Sequence, residues 1–264
     1  MNDIFLKKEF VEALKQIVRE AGDILLTFIN KKHVYTYKKD GSFATEVDLA
    51  CETFLIEKLS NLLPQASFVA EETSNSYRSG EIDWVWVIDP IDGTTNFAYG
   101  FPHFAVNVAL TYKMEPVLGI TYNPCTNEMF FASLGQGAFL NDEKIMVKNR
   151  TEIEKSLVSM AVPCEQRNCL AFQDIVKTLQ TKICSSIRKF GSASLDLAYV
   201  AAGRLDAAVI KYVYWWDIAA GIILIREAGG VISEFDKDTI DINFVSCLAS
   251  NKTLAPKFKE LLKN

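Results

Sequence analysis

A fold that mixes helices with sheet is predicted by three features of this 264-residue sequence. Two early segments carry helical patterning. Residues 103–140 read as successive strands split by turn signals. The second half alternates strands with helices. The length suits one large domain or two intimate ones. A composition 49% hydrophobic and 23% charged is that of a soluble globular protein. The net charge of −5 argues against a general nucleic-acid binder. The cysteines form no C-x-x-C, and the closest pair is Cys164 and Cys169, so reduced thiols in a cytoplasmic protein are the simplest reading. The start, MNDIFLKKEF, lacks the apolar core of a signal peptide, and no run approaches the length of a membrane span.

Taken in order, residues 5–31 form an amphipathic helix, with Phe10, Leu14, Ile17, Val18, Ala21, Leu25 and Phe28 in the i, i+3, i+4 rhythm. Residues 34–37 are a short strand, followed by the polar loop KKDGS. Thr45 and Asp48 match a capping box that opens a second helix to about Leu63. Phe68 to Ala70 end a strand, and Glu71 and Glu72 follow. The polar residues 74–82 read as a loop. Strands are expected over 103–112, 116–122, 128–133 and 137–140, forming an antiparallel sheet. A composition shift over 141–155 marks a subdomain boundary, which divides the chain into 1–145 and 146–264. Beyond it come a strand at 156–162, a helix at 168–181, and residues 186–190 leading to Gly191-Ser192-Ala193-Ser194. Ser192 or Ser194 suits the cap of the helix after it. A strand at 206–212 precedes Asp217, which opens a helix that stops at Gly229 and Gly230. Strands at 231–235 and 244–249 and a helix at 253–263 complete the chain. His33 and His103 are the histidines, and neither has a partner at ligand spacing, so no zinc site or histidine nucleophile is indicated.

The stretch WVWVIDPIDGTTNF, residues 84–97, carries the chemistry. Trp84 to Ile88 suit a buried strand. Pro90 disfavours the helical region for Asp89, so the chain is expected to turn there, bringing the Asp89 and Asp92 carboxylates and the Ile91 carbonyl into one small volume. Past Gly93, Thr94 and Thr95 stand where a helical turn starts and leaves amides open to an anion. Hard cations such as Mg²⁺ take oxygen ligands, usually one or two carboxylates each, and paired ions clamp both oxygens of an in-line phosphoryl transfer. A surface turn with acids acting as local caps is the plainer alternative.

DPIDGTTNF resembles the signature of the inositol monophosphatase family, the lithium-sensitive, magnesium-dependent sugar-phosphate phosphatases. WWDIAAGIILIREAGG at 215–230 resembles that family's second signature, and Glu71–Glu72 stand where the family has a glutamate pair. The resemblance implies an α+β fold, the layered α-β-α-β-α sandwich of the inositol monophosphatase and fructose-1,6-bisphosphatase type. It implies that Glu71, Asp89, Ile91 through its carbonyl, Asp92 and Asp217 hold two or three Mg²⁺. Thr94 and Glu71 would orient the attacking water and help deprotonate it, with no phospho-enzyme. Gly93 to Thr95 would hold phosphate oxygens. Asp92, Asp217 and the amides of Gly191, Ser192 and Ala193 would meet substrate. Asp48 would stand behind the ligands, though capping explains it equally; Asp217 too suits an N-cap. A further acid usual before that helix is replaced by Ser42.

Inositol-preferring members also carry a glutamate seven residues before the last metal-binding aspartate. Here that position is Ile210, followed by Lys211, and neither accepts a hydrogen bond from a substrate hydroxyl. Weak preference for inositol 1-phosphate follows, with selectivity either broad or, if Lys211 points inward, tilted to doubly anionic compounds. Fructose 1,6-bisphosphate, histidinol phosphate, nucleotide 3′-phosphates and NADP are the family's other substrates. The expected partners are a small-molecule phosphate ester and a second copy of the chain, with no membrane and no direct nucleic acid. Some bacterial relatives act instead with the transcription machinery, which is the alternative of another class.

Overall fold

The computed structural model describes residues 3–31, 35–37, 43–73, 83–162, 170–182 and 186–262. Val34, His33, the loop 38–42 with Ser42, the loop 74–82, and Cys164 with Cys169 lie outside these residues.

A short 3₁₀ turn, Asp3–Leu6, precedes helix α1 (Lys8–Phe28), whose buried stripe is Phe10, Leu14, Val18, Ala21 and Leu25. Strands β1 (Tyr35–Tyr37) and β2 (Phe43–Thr45) pair antiparallel. Helix α2 (Glu46–Leu62) opens with the expected capping box: the Thr45 hydroxyl accepts from Val47 N at 3.2 Å, and Asp48 Oδ2 accepts from Thr45 N at 2.7 Å. A seven-stranded sheet then runs in chain order. It holds β3 (Ser67–Ala70), β4 (Trp84–Asp92), β5 (Ala105–Tyr112), β6 (Glu115–Asn123), β7 (Glu128–Ser133), β8 (Gly137–Leu140) and β9 (Glu143–Ile145). All neighbours pair antiparallel except β3 and β4, which are parallel. Helix α3 (Thr94–Ala98) lies between β4 and β5.

The second half contains β10 (Leu157–Ala161), α4 (Leu170–Lys182), β11 (Ser186–Arg188), α5 (Ala193–Ala201), β12 (Ala207–Lys211), α6 (Trp215–Glu227), β13 (Val231–Ser233), β14 (Ser246–Ser250) and α7 (Ala255–Leu262). Its five-stranded sheet has the order β11-β10-β12-β14-β13.

Alternation along the strands builds the layers. In β4, Trp86 and Ile88 face a core shared with α1 and α2, while Val85 and Val87 face a core shared with α5 and α6. In β12, Ala208 and Ile210 join that same middle core, whereas Ala207 and Val209 face α4 and α7. The result is helix, sheet, helix, sheet, helix, as the α+β reading expects. Among the described residues no helix is long and apolar enough to cross a membrane.

Two local expectations are corrected. The chain does not leave the sheet at Ile88: β4 is a nine-residue strand, buried throughout. Asp89 pairs with Asn107 and Asp92 with Ala105, and the register shifts between them. Three steps on β4 therefore oppose two on β5, which is a bulge; Pro90, with no N–H for the ladder, falls inside it. Nor does Asp217 open its helix. α6 starts at Trp215, and the Asp217 carboxylate reaches back to accept from Tyr214 N at 2.6 Å, capping the first turn from inside it. The stretch 141–155 also carries an edge strand, β9.

Candidate active site

The bulge at the end of β4 turns two acids the same way. Asp89 is 1% exposed and Asp92 7%. The Ile91 N–H donates to Asp89 Oδ1 at 3.0 Å, which pins the bulge. The first turn of α6 adds Asp217 from across the middle layer. Carboxylate oxygens of Asp89, Asp92 and Asp217 all lie within 4.8 Å of one another. Glu71 follows β3, its N–H donating to Ile88 O at 3.2 Å. It stands outside that tightest set, but its charge acts on both Asp89 and Asp217.

Crowding so many acids raises their pKa values. Burial pushes the Asp89 carboxyl well above the ordinary value of 3.8, and the charges of Glu71, Asp92 and Asp217 push it further. Asp217 is raised well above that value by loss of water and then by Asp92 and Glu71, with the Tyr214 N–H pulling back. Asp92 is raised by burial, against the pull of its donors. Such a cluster is stable only when protons or cations offset its charge. Its donors are all oxygen, carboxylates with the Ile91 carbonyl nearby, so the group it fits is a hard divalent cation.

The surroundings hold each part in place. Gly93 sits at φ +95°, and an added Cβ would meet Gly191 O at 3.1 Å and His103 O at 3.2 Å, so glycine alone turns the chain into α3 here. The Thr94 hydroxyl lies 3.0 Å from Ile91 O and 3.3 Å from Asp48 Oδ1. Asp48 Oδ2 thus caps α2 while its Oδ1 accepts from the Thr94 hydroxyl. Thr95 is exposed at the head of α3. Ser192 caps α5, as expected, accepting from Leu195 N at 3.4 Å.

Two amides at the head of α5 are engaged by Asp92. Ala193 N donates to Asp92 Oδ1 at 3.3 Å and Ser194 N to Asp92 Oδ2 at 2.7 Å. The hydroxyls of Ser192, at 2.6 Å, and of Ser194 donate to Asp92 Oδ2 too. This helix end thus holds a carboxylate of the cluster. Lys211 is not drawn to the cluster: its ammonium stands 4.9 Å over the Tyr212 ring, and alternation along β12 turns it away from the face of Ile210. Glu72 donates its N–H to the Glu52 carboxylate at 2.8 Å. His103 packs against the rings of Phe190 and Tyr199.

Three further residues shape the site and were not singled out by the sequence. Asn96 Nδ2 donates to His103 O at 2.6 Å and Phe190 O at 2.8 Å, tying α3 to the approach of α5. Asn107, opposite Asp89 on β5, donates to Trp216 O at 2.7 Å and accepts from the Thr121 hydroxyl at 2.7 Å. Glu52 is fully buried on α2. The signal for Asn107 was a polar amide inside the apolar run AVNVAL; for Glu52 it was an acid four residues beyond Asp48 on one helix face.

A model of the inositol monophosphatase family matches residues 6–264. The chain is 36% identical to an inositol-1-monophosphatase of Caulobacter vibrioides over 257 residues, covering 96% of this chain and 97% of that one. It is 36% identical to a Nus factor SuhB of Pasteurella multocida over 220 residues, covering 83% and 82%. Among solved structures, the extragenic suppressor protein suhB from Bartonella henselae superposes with a TM-score of 0.88 at 32% identity, covering 96% and 98%.

Proposed function

The chain belongs to the inositol monophosphatase family and is a metal-dependent phosphoric monoester hydrolase, and we propose that Glu71, Asp89, Asp92, Asp217 and the Ile91 carbonyl hold two or three Mg²⁺ at its site. The observation that carries this is the convergence of three carboxylates within 4.8 Å, two of them buried, from two distant parts of the chain. When bound, the ions supply positive charge for the phosphoryl oxygens and the leaving oxygen, and lower the pKa of water. Asp89, on the rigid end of β4, fixes the centre of the cluster. Thr94 turns its oxygen to the attacking water while its proton is held towards Asp48 or Ile91 O. Glu71 takes up the proton that the water loses. The amides of Gly93 to Thr95 orient the phosphate for in-line attack, so the rate comes from positioning and electrostatics, without a phospho-enzyme.

For the alcohol part of the substrate the support is a missing hydrogen-bond acceptor at one position. Ile210 is fully buried and apolar seven residues before Asp217, so it accepts nothing from a sugar hydroxyl. Lys211 reaches a second anion only after leaving the Tyr212 ring. We therefore read the selectivity as broad, with inositol 1-phosphate a mediocre substrate. The family also suggests a cytoplasmic homodimer inhibited by millimolar lithium.

The test is Mg²⁺-dependent phosphate release from inositol 1-phosphate, glycerol 2-phosphate, fructose 1,6-bisphosphate, adenosine 2′-monophosphate and NADP. Asp89→Asn should lower the rate by several orders of magnitude in a protein that still folds; near-normal turnover, or full activity after exhaustive chelation, would sink the assignment. A hundredfold preference for inositol 1-phosphate, roughly 2.7 kcal/mol, would show that Ile210 does not set selectivity. Similarity to proteins named Nus factor SuhB favours a second reading, association with the transcription machinery beside hydrolysis. Recovery of transcription-machinery proteins from lysate on the immobilised protein would support it, and their absence would count against it.

A further inference from the structure

Glu52 is a fully buried acid that forms no part of the cluster. Its two oxygens are nevertheless fully used. Oε2 accepts from Glu72 N at 2.8 Å, and Oε1 accepts from the Thr73 hydroxyl. Those donors are the two residues that follow Glu71. On the other side, the Glu71 N–H is tied to Ile88 O of β4. The turn that presents Glu71 is thus clamped between α2 and β4. A carboxylate accepts at both oxygens, which no neutral side chain of this reach does. Burying a charge for two neutral donors is costly for stability alone, so its return is sought in geometry.

Asp48 lies one turn earlier on the same face of α2, and it reaches the Thr94 hydroxyl. One helix face therefore sets both groups assigned to the attacking water. We propose that Glu52 is a positioning residue of the hydrolase: it fixes the turn carrying Glu71 at the distance from Thr94 that the water requires. The proposal rests on the role given above to Glu71.

The test compares Glu52→Ala, Glu52→Gln, Thr73→Val and Glu71→Gln in Mg²⁺ titrations with glycerol 2-phosphate, well below each variant's Tm. Glu52→Ala is expected to lower kcat, or raise the half-saturating Mg²⁺, by about 10–100-fold, with KM for the ester nearly unchanged. Glu52→Gln should recover to within about threefold, because its amide oxygen can accept from Glu72 N and its NH₂ can donate to the Thr73 oxygen. On a Glu71→Gln background, Glu52→Ala should add less than about twofold, since it acts through Glu71. A lowered Tm with kcat and Mg²⁺ demand intact would make Glu52 structural only and overturn the proposal. Should Glu52→Ala fail to fold, exposed Thr73→Val decides: a few-fold rise in half-saturating Mg²⁺ supports the clamp, and no change overturns it. Full activity in Glu71→Gln would sink the site reading itself. A slow Glu71→Gln beside a normal Glu52→Ala would sink only the positioning role.

Discussion

Asp89 is buried, and Glu71, Asp92 and Asp217 all press on it. A carboxyl whose folded pKa lies above its unfolded value of 3.8 lends stability that is complete below 3.8 and is lost as pH rises through the folded value. At neutral pH, in chelator, the Asp89 charge therefore works against the fold. Asp89→Asn keeps the oxygen that accepts from Ile91 N and removes that charge. It should be more stable than the native chain by about 1–2 kcal/mol at pH 7.5, with the advantage shrinking as pH falls toward 4. Mg²⁺ should raise the native Tm and leave that of Asp89→Asn nearly unmoved. Thermal melts from pH 4 to 8, with chelator and with Mg²⁺, measure both; an Asn variant less stable at pH 7.5 in chelator would refute the argument. Outside the cluster, Asp196 is another buried acid raised well above 3.8, mostly by burial. Asp196→Asn should flatten the same pH profile yet leave the Mg²⁺ increment in place. At this scale the strand and turn at 84–92 pointed to Asp89 and Asp92, and the family resemblance added Asp217. It did not show Ser194 and the α5 amides closing on Asp92, because that contact spans 102 residues.

α6 is the element on which the site depends, since it carries Asp217 to acids of the other half. It is packed without slack. An added Cβ on Gly119 of β6 would lie 2.8 Å from the Ala220 backbone, and one on Gly221 would lie 2.3 Å from a Leu197 methyl of α5. Gly119→Ala should push α6 off the sheet and cost about 1–3 kcal/mol of stability, as overpacking does. Asn107 fixes the same helix in register through the Trp216 carbonyl. Asn107→Ala would leave that link broken and the Thr121 hydroxyl without its acceptor, at about 1–3 kcal/mol. Because Asn107 lies opposite Asp89, its loss should also raise the half-saturating Mg²⁺. Urea melts paired with Mg²⁺ titrations separate the effects: Gly119→Ala and Asn107→Ala with native stability would show that α6 is held elsewhere. Most elements were legible from periodicity and turn residues. The errors fell where two readings share one signal. Pro90 marks a turn or a bulge alike, and only the pairing of Asp92 with Ala105 tells them apart. Asp217 marks the cap or the third helical residue alike, and the Tyr214 N–H decides it. β9 was missed because Glu143–Ile145 is a short polar edge strand with little apolar pattern to read.

The whole molecule shares its middle core between the parts that composition separates at 145 and 146. Val85, Val87, Ala109, Phe130 and Ala132 of the first sheet pack with Leu195, Leu197, Ile218, Ile222 and Ile223 of α5 and α6. Alternation alone indicates that both faces of β4 are apolar, but that α5 and α6 cover the second face depends on contacts between residues more than 100 apart. The fragment 1–145 would cover one face of its sheet with α1 and α2 and leave the other to water. Apolar area of that kind is worth about 25 cal/mol per Å², and an exposed face of several hundred Å² erases the few kcal/mol by which a domain is stable. The fragment 146–264 has the converse defect, since α5 and α6 lose the sheet they lie on. We therefore expect the two subdomains to fold as one unit. Calorimetry of the intact chain in chelator should give a single transition whose van't Hoff and calorimetric enthalpies agree. Each fragment expressed alone should lack a cooperative melt, and mixing the two should restore both the melt and some Mg²⁺-dependent phosphatase activity, because Asp217 is then returned to Asp89 and Asp92. Two resolved transitions in the intact chain, or a cooperative melt of either fragment alone, would show that the boundary at 145 and 146 divides real folding units.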